Sequence, residues 1–420
     1  MKDEKTGTLT LPADDADAAR YGQPASAIDR WLADKALSLV GNPSVALVLW
    51  DGDEVRLPGA TPTRRAYIRD RAAFYRLLSN PSLHFGDLYS VGRVDVEGDL
   101  VEFLVAAYEG MADNRGSGWL RRLNAFLTPQ PRANTLSGSR ANIHHHYDLG
   151  NAFYELWLDR EYQQYTCAYY PETTLTLEEA QRAKMEHVCR KLELKPGDRV
   201  VEAGCGWGGL ARYMARHHGV RVRAYNISHE QVAYARARAQ AEGLADRVEY
   251  VEDDYRTISG EYDKFVSVGM LEHVGPDNYA ELGAVINRAL APNGRGLIHT
   301  IGRNKPELMN AWIEKRIFPG AYPPTLREMM QIFEPYRFSV LDVENLRLHY
   351  AQTLRHWLER YEAHAEQVQK MFDHSFVRAW RLYLAGSIAA FLAGSLQLFQ
   401  VVFARSRDNT IPRSRVHLYR

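Results

Sequence analysis

The stretch that decides the fold of this chain is VVEAGCGWGGL, residues 200–210. It starts as a short apolar run typical of a buried strand and continues into a glycine-rich turn before a helical pattern. Gly204, Gly206 and Gly209 satisfy the spacing G-x-G-x-x-G, in which the glycines let the backbone turn tightly and approach a ligand closely. The motif alone is a weak signal, because enzymes that bind nicotinamide dinucleotides and enzymes that bind S-adenosylmethionine both use such loops.

Residues around the glycine loop favour S-adenosylmethionine. Glu202 stands two residues before the first glycine, where methyltransferases commonly carry an acid facing the cofactor. A dinucleotide fold needs an acid or an arginine about 20 residues further on to bind the ribose. Here the second strand ends in RAYNIS and offers Asn226 and Gln231 instead, and Tyr255 follows the third strand where it could contact an adenine. We therefore expect S-adenosylmethionine as the cofactor.

Strands and helices alternate on both sides of this loop, from about residue 142 onward. Thr176 and Glu179 have the spacing of a capping box before the helical pattern LEEAQRAKMEHVCRKL. Such alternation predicts a mostly parallel sheet that is covered on both faces. The predicted strands are RVVEAG, VRVRAYN, RVEYVED, YDKFVSVG, LIHTIG, RFSVLDVENL and LQLFQVVFA.

One apolar stretch, residues 382–404, is long enough to span a bilayer. It contains Gln397 and Gln400, however, and its second half alternates like a strand. We therefore interpret it as a buried helix followed by a core strand.

The composition is that of an ordinary globular protein, and the length is enough for two domains. The chain has 420 residues, of which 45% are hydrophobic and 25% charged. A formal net charge of zero gives no overall field that would recruit nucleic acid, and we expect no nucleic-acid partner. Three cysteines and the lack of a secretory signal predict a cytoplasmic protein. We predict a disordered N-terminus at 1–24, a small α+β domain at 25–112, a linker at 113–141 and a catalytic domain at 142–420.

The predicted linker differs in charge from the domain before it. Residues 1–110 carry 12 basic and 17 acidic residues, whereas 115–140 hold five arginines and no acid. Its apolar residues recur on one face of a helix, with Arg121 opposite them. This pattern predicts either an interfacial helix on anionic lipid or a lid packed on the catalytic domain. The apolar residues are Trp119, Leu120, Leu123, Phe126 and Leu127.

Polar residues follow or interrupt the later predicted strands. Glu272 lies in VSVGMLEHVGP after the fourth strand, His299 lies within LIHTIG, and Tyr350 follows a late strand. A single glutamate after a strand often caps a helix, and a single buried histidine is usually a hydrogen-bonded core residue. Because the carboxyl ends of parallel strands meet at one edge, these residues together predict a polar cluster beside the cofactor loop.

Several motifs, taken in order, resemble the cyclopropane-fatty-acyl-phospholipid synthase family, which includes mycolic acid cyclopropane synthases and related methyltransferases. The resemblance covers about 142–404, and LYSVGRVDVEGDL resembles the N-terminal lipid-associated domain of the bacterial phospholipid enzymes. This sequence departs mildly at Ala321, often glycine in the family, and at Thr166, serine in some members. The motifs are HYDLGNAFYELWLD, YTCAYY, VEAGCGWGGLARYMA, VSVGMLEHVGP, LIHTIG, IFPGAYPPTL and LQLFQVVFA.

The resemblance implies a class I S-adenosylmethionine methyltransferase fold with a seven-stranded, mostly parallel sheet. It implies methyl transfer to the cis double bond of an unsaturated acyl chain of a phospholipid, and deprotonation of the resulting carbocation by bound bicarbonate, giving a cyclopropane. The ion site would be Cys167, Glu272, His299, Tyr350 and the backbone N–H of Ile301. Cofactor contacts would be Tyr165, Thr166, Gly204, Gly206, Asn226, Gln231 and Tyr255.

The implied chemistry assigns roles to the YTCAYY segment. Ring faces attract cations, so Tyr169, Tyr170 and other aromatic residues of this region are candidates to stabilise the carbocation. Cys167 is interpreted as the wall of the pocket rather than a nucleophile, because no base with an orienting partner is evident beside it. No metal is expected, since the HHH run at 144–146 lacks ligands at metal-binding spacing.

Other functions stay open at this point. The same first step could end in a methylene- or methyl-branched chain, because the geometry of deprotonation decides the product. A lipid-binding protein with an inactive cofactor site and a small-molecule N- or O-methyltransferase are alternatives of other classes. We expect peripheral association with the inner face of the membrane. The oligomeric state is open, with a homodimer as one option, as are the chain length, double-bond position and head group of the substrate.

Overall fold

A computed structural model describes residues 24–113 and 149–419. These residues contain two sheets, one of four strands in a small N-terminal unit and one of seven strands in a larger unit. Three predicted features lie outside the described residues: the disordered N-terminus, except residue 24; the linker with its apolar stripe, except residue 113; and the HHH run. Those predictions, and the exact domain boundaries, therefore stay predictions.

The N-terminal unit is α+β, as predicted. Its sheet has the order β2-β1-β3-β4, and only the β1–β3 pair is parallel. A turn around Gly52 joins the antiparallel strands β1 and β2. The strands are β1 (Val45–Val48), β2 (Glu54–Val55), β3 (Arg64–Ile68) and β4 (Val94–Val96), and the helices are α1 (Ala27–Val40), α2 (Arg71–Ser79), α3 (Pro81–Ser90) and α4 (Leu100–Asp113).

The larger unit is built on a doubly wound sheet, which confirms the predicted fold class. Its strand order is β10-β11-β9-β8-β5-β6-β7; β5 to β9 run parallel, and β11 is antiparallel to both of its neighbours. The strands are β5 (Arg199–Ala203), β6 (Arg221–Asn226), β7 (Val248–Glu252), β8 (Tyr262–Val268), β9 (Leu290–Gly302), β10 (Phe338–Asn345) and β11 (Gln397–Arg405).

Helices cover both faces of this sheet, as the alternation predicts. The capping box of Thr176 and Glu179 forms at the start of α6. Apolar residues of α6, α7 and α8 pack on one face, and those of α9 and α11 pack on the other. The helices are α5 (Asn151–Glu155), α6 (Leu177–Leu192), α7 (Gly209–His218), α8 (His229–Ala241), α9 (Tyr279–Ala289), α10 (Ala311–Arg316), α11 (Leu326–Phe333), α12 (Arg347–Ala363), α13 (Ala365–Met371) and α14 (His374–Leu392).

The helices α12 and α14 pack together and contribute to a large aromatic cluster. The same cluster includes Trp207, which follows β5, and Ile301, at the end of β9, so it lies at the carboxyl ends of the parallel strands. The interior of α14 is largely buried and the helix is followed by β11, which confirms the reading of the apolar stretch. No helix within residues 24–113 and 149–419 combines the length and apolar character that crossing a bilayer requires.

The N-terminal unit packs against the larger unit through α3 and α4. Two arginines join the units at this contact. Arg316 donates two hydrogen bonds of 3.0 Å to the buried carboxylate of Asp87. The guanidinium of Arg378 lies 4.2 Å above the centre of the Tyr89 ring. The N-terminal unit thus packs against α10 and α14, helices of the larger unit.

Candidate active site

The glycine loop lies between β5 and α7, at the carboxyl end of the central strand. Gly204 has a φ of 83° and Gly206 a φ of 53°, in the left-handed region that favours glycine. A β-carbon on Gly204 would lie 2.8 Å from the β-carbon of Met270, whereas a β-carbon on Gly206 would meet nothing within 4 Å. The loop is therefore crowded below Gly204 and open at Gly206, where a ligand can reach the backbone.

On one side of the loop, the ends of β6 and β7 supply polar groups. The Asn226 side-chain N–H donates to the Gly206 carbonyl at 3.2 Å and to Gln231 Oε1 at 2.8 Å. Gln231 Nε2 and the Tyr255 hydroxyl are buried and have no partner among the described residues. Because buried polar groups are normally paired, these two are suited to the adenosine part of a cofactor.

On the other side of the loop lie Tyr165 and Thr166. The Tyr165 hydroxyl is 2.8 Å from the Tyr383 hydroxyl. A β-carbon on Gly269 would lie 3.0 Å from Thr166 Cγ2, so Thr166 packs against the end of β8. All seven predicted cofactor residues thus surround the carboxyl ends of β5 to β8. The open loop and the unpaired amide and phenol groups fit S-adenosylmethionine.

Glu272 lies in a short turn after β8 and is 7% exposed. Its Oε1 accepts the Ile301 backbone N–H at 2.6 Å. Its Oε2 is buried and has no hydrogen-bond partner in the part of the chain that the structure describes. Burial raises the pKa of Glu272 to about 7, against the lowering effect of backbone N–H groups that include that of Ile301.

His299 lies on β9 and is 2% exposed. Its Nδ1 accepts a hydrogen bond from Gln400 Nε2 at 3.0 Å. Burial lowers the pKa of His299 well below its ordinary value, and the charges of Lys184 and Lys191 add to the effect. The imidazole is therefore neutral, and with Nδ1 as acceptor its proton is on Nε2. That Nε2 is a buried donor with no partner among the described residues.

Cys167 and Tyr350 lie in the aromatic cluster at the strand ends, and Ile301 packs against the same cluster. Cys167 is fully buried, its Sγ–H donates to the Ala168 carbonyl at 3.0 Å, and burial raises the pKa of its thiol well above the ordinary value. The Tyr350 ring stacks on Phe391 with centroids 4.7 Å apart. A protonated, buried thiol supports its interpretation as a pocket wall.

The structure thus places all five predicted ion-site residues at the same strand ends, with one difference. The Ile301 N–H, predicted as a donor to the ion, donates to Glu272 instead. The Ile301 N–H therefore holds Oε1 of the carboxylate, and Oε2 has no hydrogen-bond partner among the described residues. The roles of the five residues toward an ion stay predictions.

The candidate aromatic residues of this region fall into two groups of ring contacts. The Tyr169 ring stacks on His187, with centroids 4.3 Å apart, and on His349 at 4.9 Å. Tyr170 lies against His356 with centroids 5.8 Å apart. The rings around Tyr165, a predicted cofactor contact, belong to Tyr154, Trp157 and Trp357, with centroids 5.2 to 5.5 Å from it.

Two site residues escaped prediction from the sequence. Gln400 orients His299, and its only signal was an amide in the otherwise apolar run LQLFQVVFA. Lys184 is fully buried on α6, and its Nζ donates to Thr166 Oγ1 at 2.9 Å. Its signal was a charge among the core-facing residues of the helix.

Glu202, which the sequence predicted to face the cofactor, is 2% exposed. Its Oε2 has no hydrogen-bond partner among the described residues, and burial raises the pKa of Glu202 to about 7.

The strand order, the glycine loop after the central strand and the polar groups around it define a class I S-adenosylmethionine-dependent methyltransferase. Residues 135–401 match the family described as mycolic acid cyclopropane synthetase, and the chain belongs to that family. It is an S-adenosylmethionine-dependent C-methyltransferase of the cyclopropane synthase type. Residues 32–114 match a separate family described as a domain of unknown function.

Individual relatives support this membership. The cyclopropane-fatty-acyl-phospholipid synthase of Escherichia coli K12 is 40% identical over 344 residues, which cover 80% of this chain and 86% of that protein. A Pseudomonas putida protein named "Probable fatty acid methyltransferase" is 36% identical over 386 residues, or 89% of this chain and 96% of the relative. The structure of mycolic acid cyclopropane synthase CmaA1 complexed with SAH and CTAB is 27% identical, with a TM-score of 0.60 over 63% of this chain and 97% of that chain.

Proposed function

We propose that this enzyme transfers the methyl(ene) group of S-adenosylmethionine to the cis double bond of an unsaturated acyl chain of a phospholipid and forms a cyclopropane, with bicarbonate as the base. The observation that carries the proposal is a pair of buried atoms at adjacent strand ends. Glu272 Oε2 is an acceptor and His299 Nε2 is a donor, and neither has a partner among the described residues. The name of the Escherichia coli relative supports the phospholipid substrate class, and the CmaA1 complex with SAH supports the cofactor.

The protein's part in methyl transfer is to position, to exclude water and to stabilise charge. S-adenosylmethionine supplies an electrophilic methyl group on its sulfonium. An alkene is a poor nucleophile, so the reacting carbon must be held close and in line with that methyl group. The rings of Tyr154, Trp157 and Trp357 surround Tyr165 and keep this region dry. Their faces favour the positive charge that develops on the acyl chain.

The ion site has the donor and acceptor set that a small anion with one O–H requires. Bicarbonate would supply the base that removes a proton from the substrate. His299 Nε2–H can donate to its oxygens, and Glu272 Oε2 can accept its O–H when the carboxyl is ionised. Since the pKa of Glu272 is raised to about 7, this acceptor is formed as the pH rises through neutrality. Tyr350 and Cys167 line the aromatic cluster beside it.

The experiment is transfer of labelled methyl groups to lipid. The purified chain, labelled S-adenosylmethionine, bicarbonate and vesicles of a cis-unsaturated phospholipid should give label in the acyl chains, with the added mass of one CH2 group. Vesicles with only saturated chains are the matched control and should stay unlabelled. Mild catalytic hydrogenation should leave the product unchanged, because a cyclopropane resists reduction whereas a methylene group is reduced.

Each contrary result has a distinct meaning. A product that takes up hydrogen, or that carries a methyl branch, would establish the alternative of a methylene- or methyl-branched chain. Label that remains out of lipid while S-adenosylhomocysteine binds would contradict the substrate class. Peripheral association with the inner face of the membrane is part of the proposal, because the double bond lies inside a bilayer. Co-sedimentation of the protein with the same vesicles tests that part.

A further inference from the structure

Lys184 is a buried charged residue that the proposed methyl transfer does not use. It is one of the largest fully buried side chains of the protein. Its Nζ donates to two neutral oxygens, Thr166 Oγ1 at 2.9 Å and Gln164 Oε1. Burying an ammonium is costly unless an opposite charge compensates for it, and the carboxylates of Asp159 and Glu202 act on it only through space. An anionic ligand that binds near Lys184 would therefore be stabilised by this buried positive charge.

Thr166 and Lys184 are held in place by neighbouring side chains. Gln181, one turn earlier on α6, donates from Nε2 to the Thr166 carbonyl at 2.8 Å. The backbone N–H of Gln164 is fixed by the Asp159 carboxylate at 2.6 Å. The backbone and the hydroxyl of Thr166 are therefore both set by side chains of one helix, and Thr166 itself is only half-buried.

The contact with Lys184 decides what the Thr166 hydroxyl can do. A hydroxyl has one O–H donor and two lone pairs. Because an ammonium has no lone pair, it can only donate, so the contact uses a lone pair of Oγ1 and frees the O–H to donate elsewhere. Thr166 is thus presented to the pocket as a donor that is backed by a positive charge, which suits an anion.

The position of Thr166 identifies that anion. The sulfur of S-adenosylmethionine carries adenosine, the reacting methyl and a chain that ends in an amino group and a carboxylate. Asn226 ends β6, Gln231 lies in the first turn of α8 and Tyr255 follows β7, all on the adenosine side. The reacting methyl must face the ion site beyond β8. Thr166 packs against Gly269 at the end of β8. It therefore lies on the side of the remaining substituent, the chain that carries the amino group and the carboxylate.

We propose that Lys184 is a positioning residue for the cofactor, which orients the Thr166 hydroxyl toward the carboxylate of S-adenosylmethionine and compensates the charge of that carboxylate. This inference rests on the cofactor placement of the proposed function and extends it to a residue outside the predicted site. It gives the buried lysine an anion to pair with only when the cofactor is bound.

The test is calorimetric binding by the full chain of S-adenosylhomocysteine and of its decarboxylated analogue, in which hydrogen replaces the carboxylate. Lys184→Met should weaken binding of S-adenosylhomocysteine about tenfold, or about 1.4 kcal/mol, and binding of the analogue less than about twofold. Thr166→Val should give the same selective loss, and Thr166→Ser should retain the parent's preference. The double variant Lys184→Met/Thr166→Val should lose no more than either single variant, because both break one relay.

The matched control is Lys191→Met on the same helix. Lys191 is also buried, at 1% exposed, but it is paired with Glu344 at 2.5 Å. Its loss should leave the ratio of the two affinities at the parent value. An equal loss of both ligands in Lys184→Met, or no loss, would overturn the proposal, and Thr166→Val decides it if Lys184→Met does not fold. A parent that binds neither ligand would instead overturn the cofactor placement itself.

Discussion

Replacing Glu272 with glutamine should make the protein more stable and nearly inactive. The carboxylate is held in a buried site where Oε1 accepts the Ile301 N–H at 2.6 Å and Oε2 has no hydrogen-bond partner among the described residues. Glutamine has the same shape, keeps an oxygen for the Ile301 N–H and carries no charge. The substitution therefore removes the cost of ionising this position in the fold while it removes the acceptor that the proposed ion needs.

The pKa of Glu272 gives the magnitude of this effect. Burial raises the pKa from 4.5 to about 7, and one pKa unit corresponds to about 1.4 kcal/mol. A carboxyl whose pKa is higher in the folded chain keeps its proton to higher pH there, so stability falls as the pH rises from about 4.5 through about 7. We expect the free energy of unfolding of Glu272→Gln to exceed that of the parent by about 3 kcal/mol at pH 8 and by about 1 kcal/mol at pH 5.5.

Urea unfolding of parent and variant at the two pH values measures the difference. Glu359→Gln, at a side chain that is 75% exposed, is the matched control and should change stability by no more than about 0.5 kcal/mol at either pH. Turnover of Glu272→Gln should fall by far more than its affinity for S-adenosylhomocysteine. A variant that is less stable than the parent at both pH values, with no pH dependence, would refute the reasoning that the carboxylate is desolvated.

Two further predictions concern residues beside the ion site. Cys167→Ser should retain measurable turnover and cofactor affinity, because the buried thiol is protonated; a covalent adduct at Cys167 in intact-protein mass spectrometry would contradict this. Gln400→Met should lower kcat roughly 5- to 150-fold, the equivalent of about 1–3 kcal/mol for an unpaired buried group, while binding of S-adenosylhomocysteine stays at the parent value. Unchanged kcat in Gln400→Met would mean that the amide does not orient His299.

Local sequence determined most of the secondary structure and the position of the cofactor loop. The positive φ angles of Gly204 and Gly206 and the capping box at Thr176 depend on residues next to one another in the chain. Strand–helix alternation was enough to predict a mostly parallel sheet, because a parallel crossover needs a helix between the strands. Glu272 and His299 were predicted to meet because both follow or end parallel strands of that sheet.

Tertiary structure alone decided which atoms face each other in the site. His299 and Gln400 are 101 residues apart, and they meet because β11 inserts antiparallel beside β9 with these two residues in register. The pairing of Ile301 with Glu272 and that of Lys184 with Thr166 likewise join different elements. Burial, which sets the protonation of Glu272, His299 and Cys167, is a property of the packed cluster around them. No single stretch of sequence contains that information, because desolvation depends on every element that excludes water from the site.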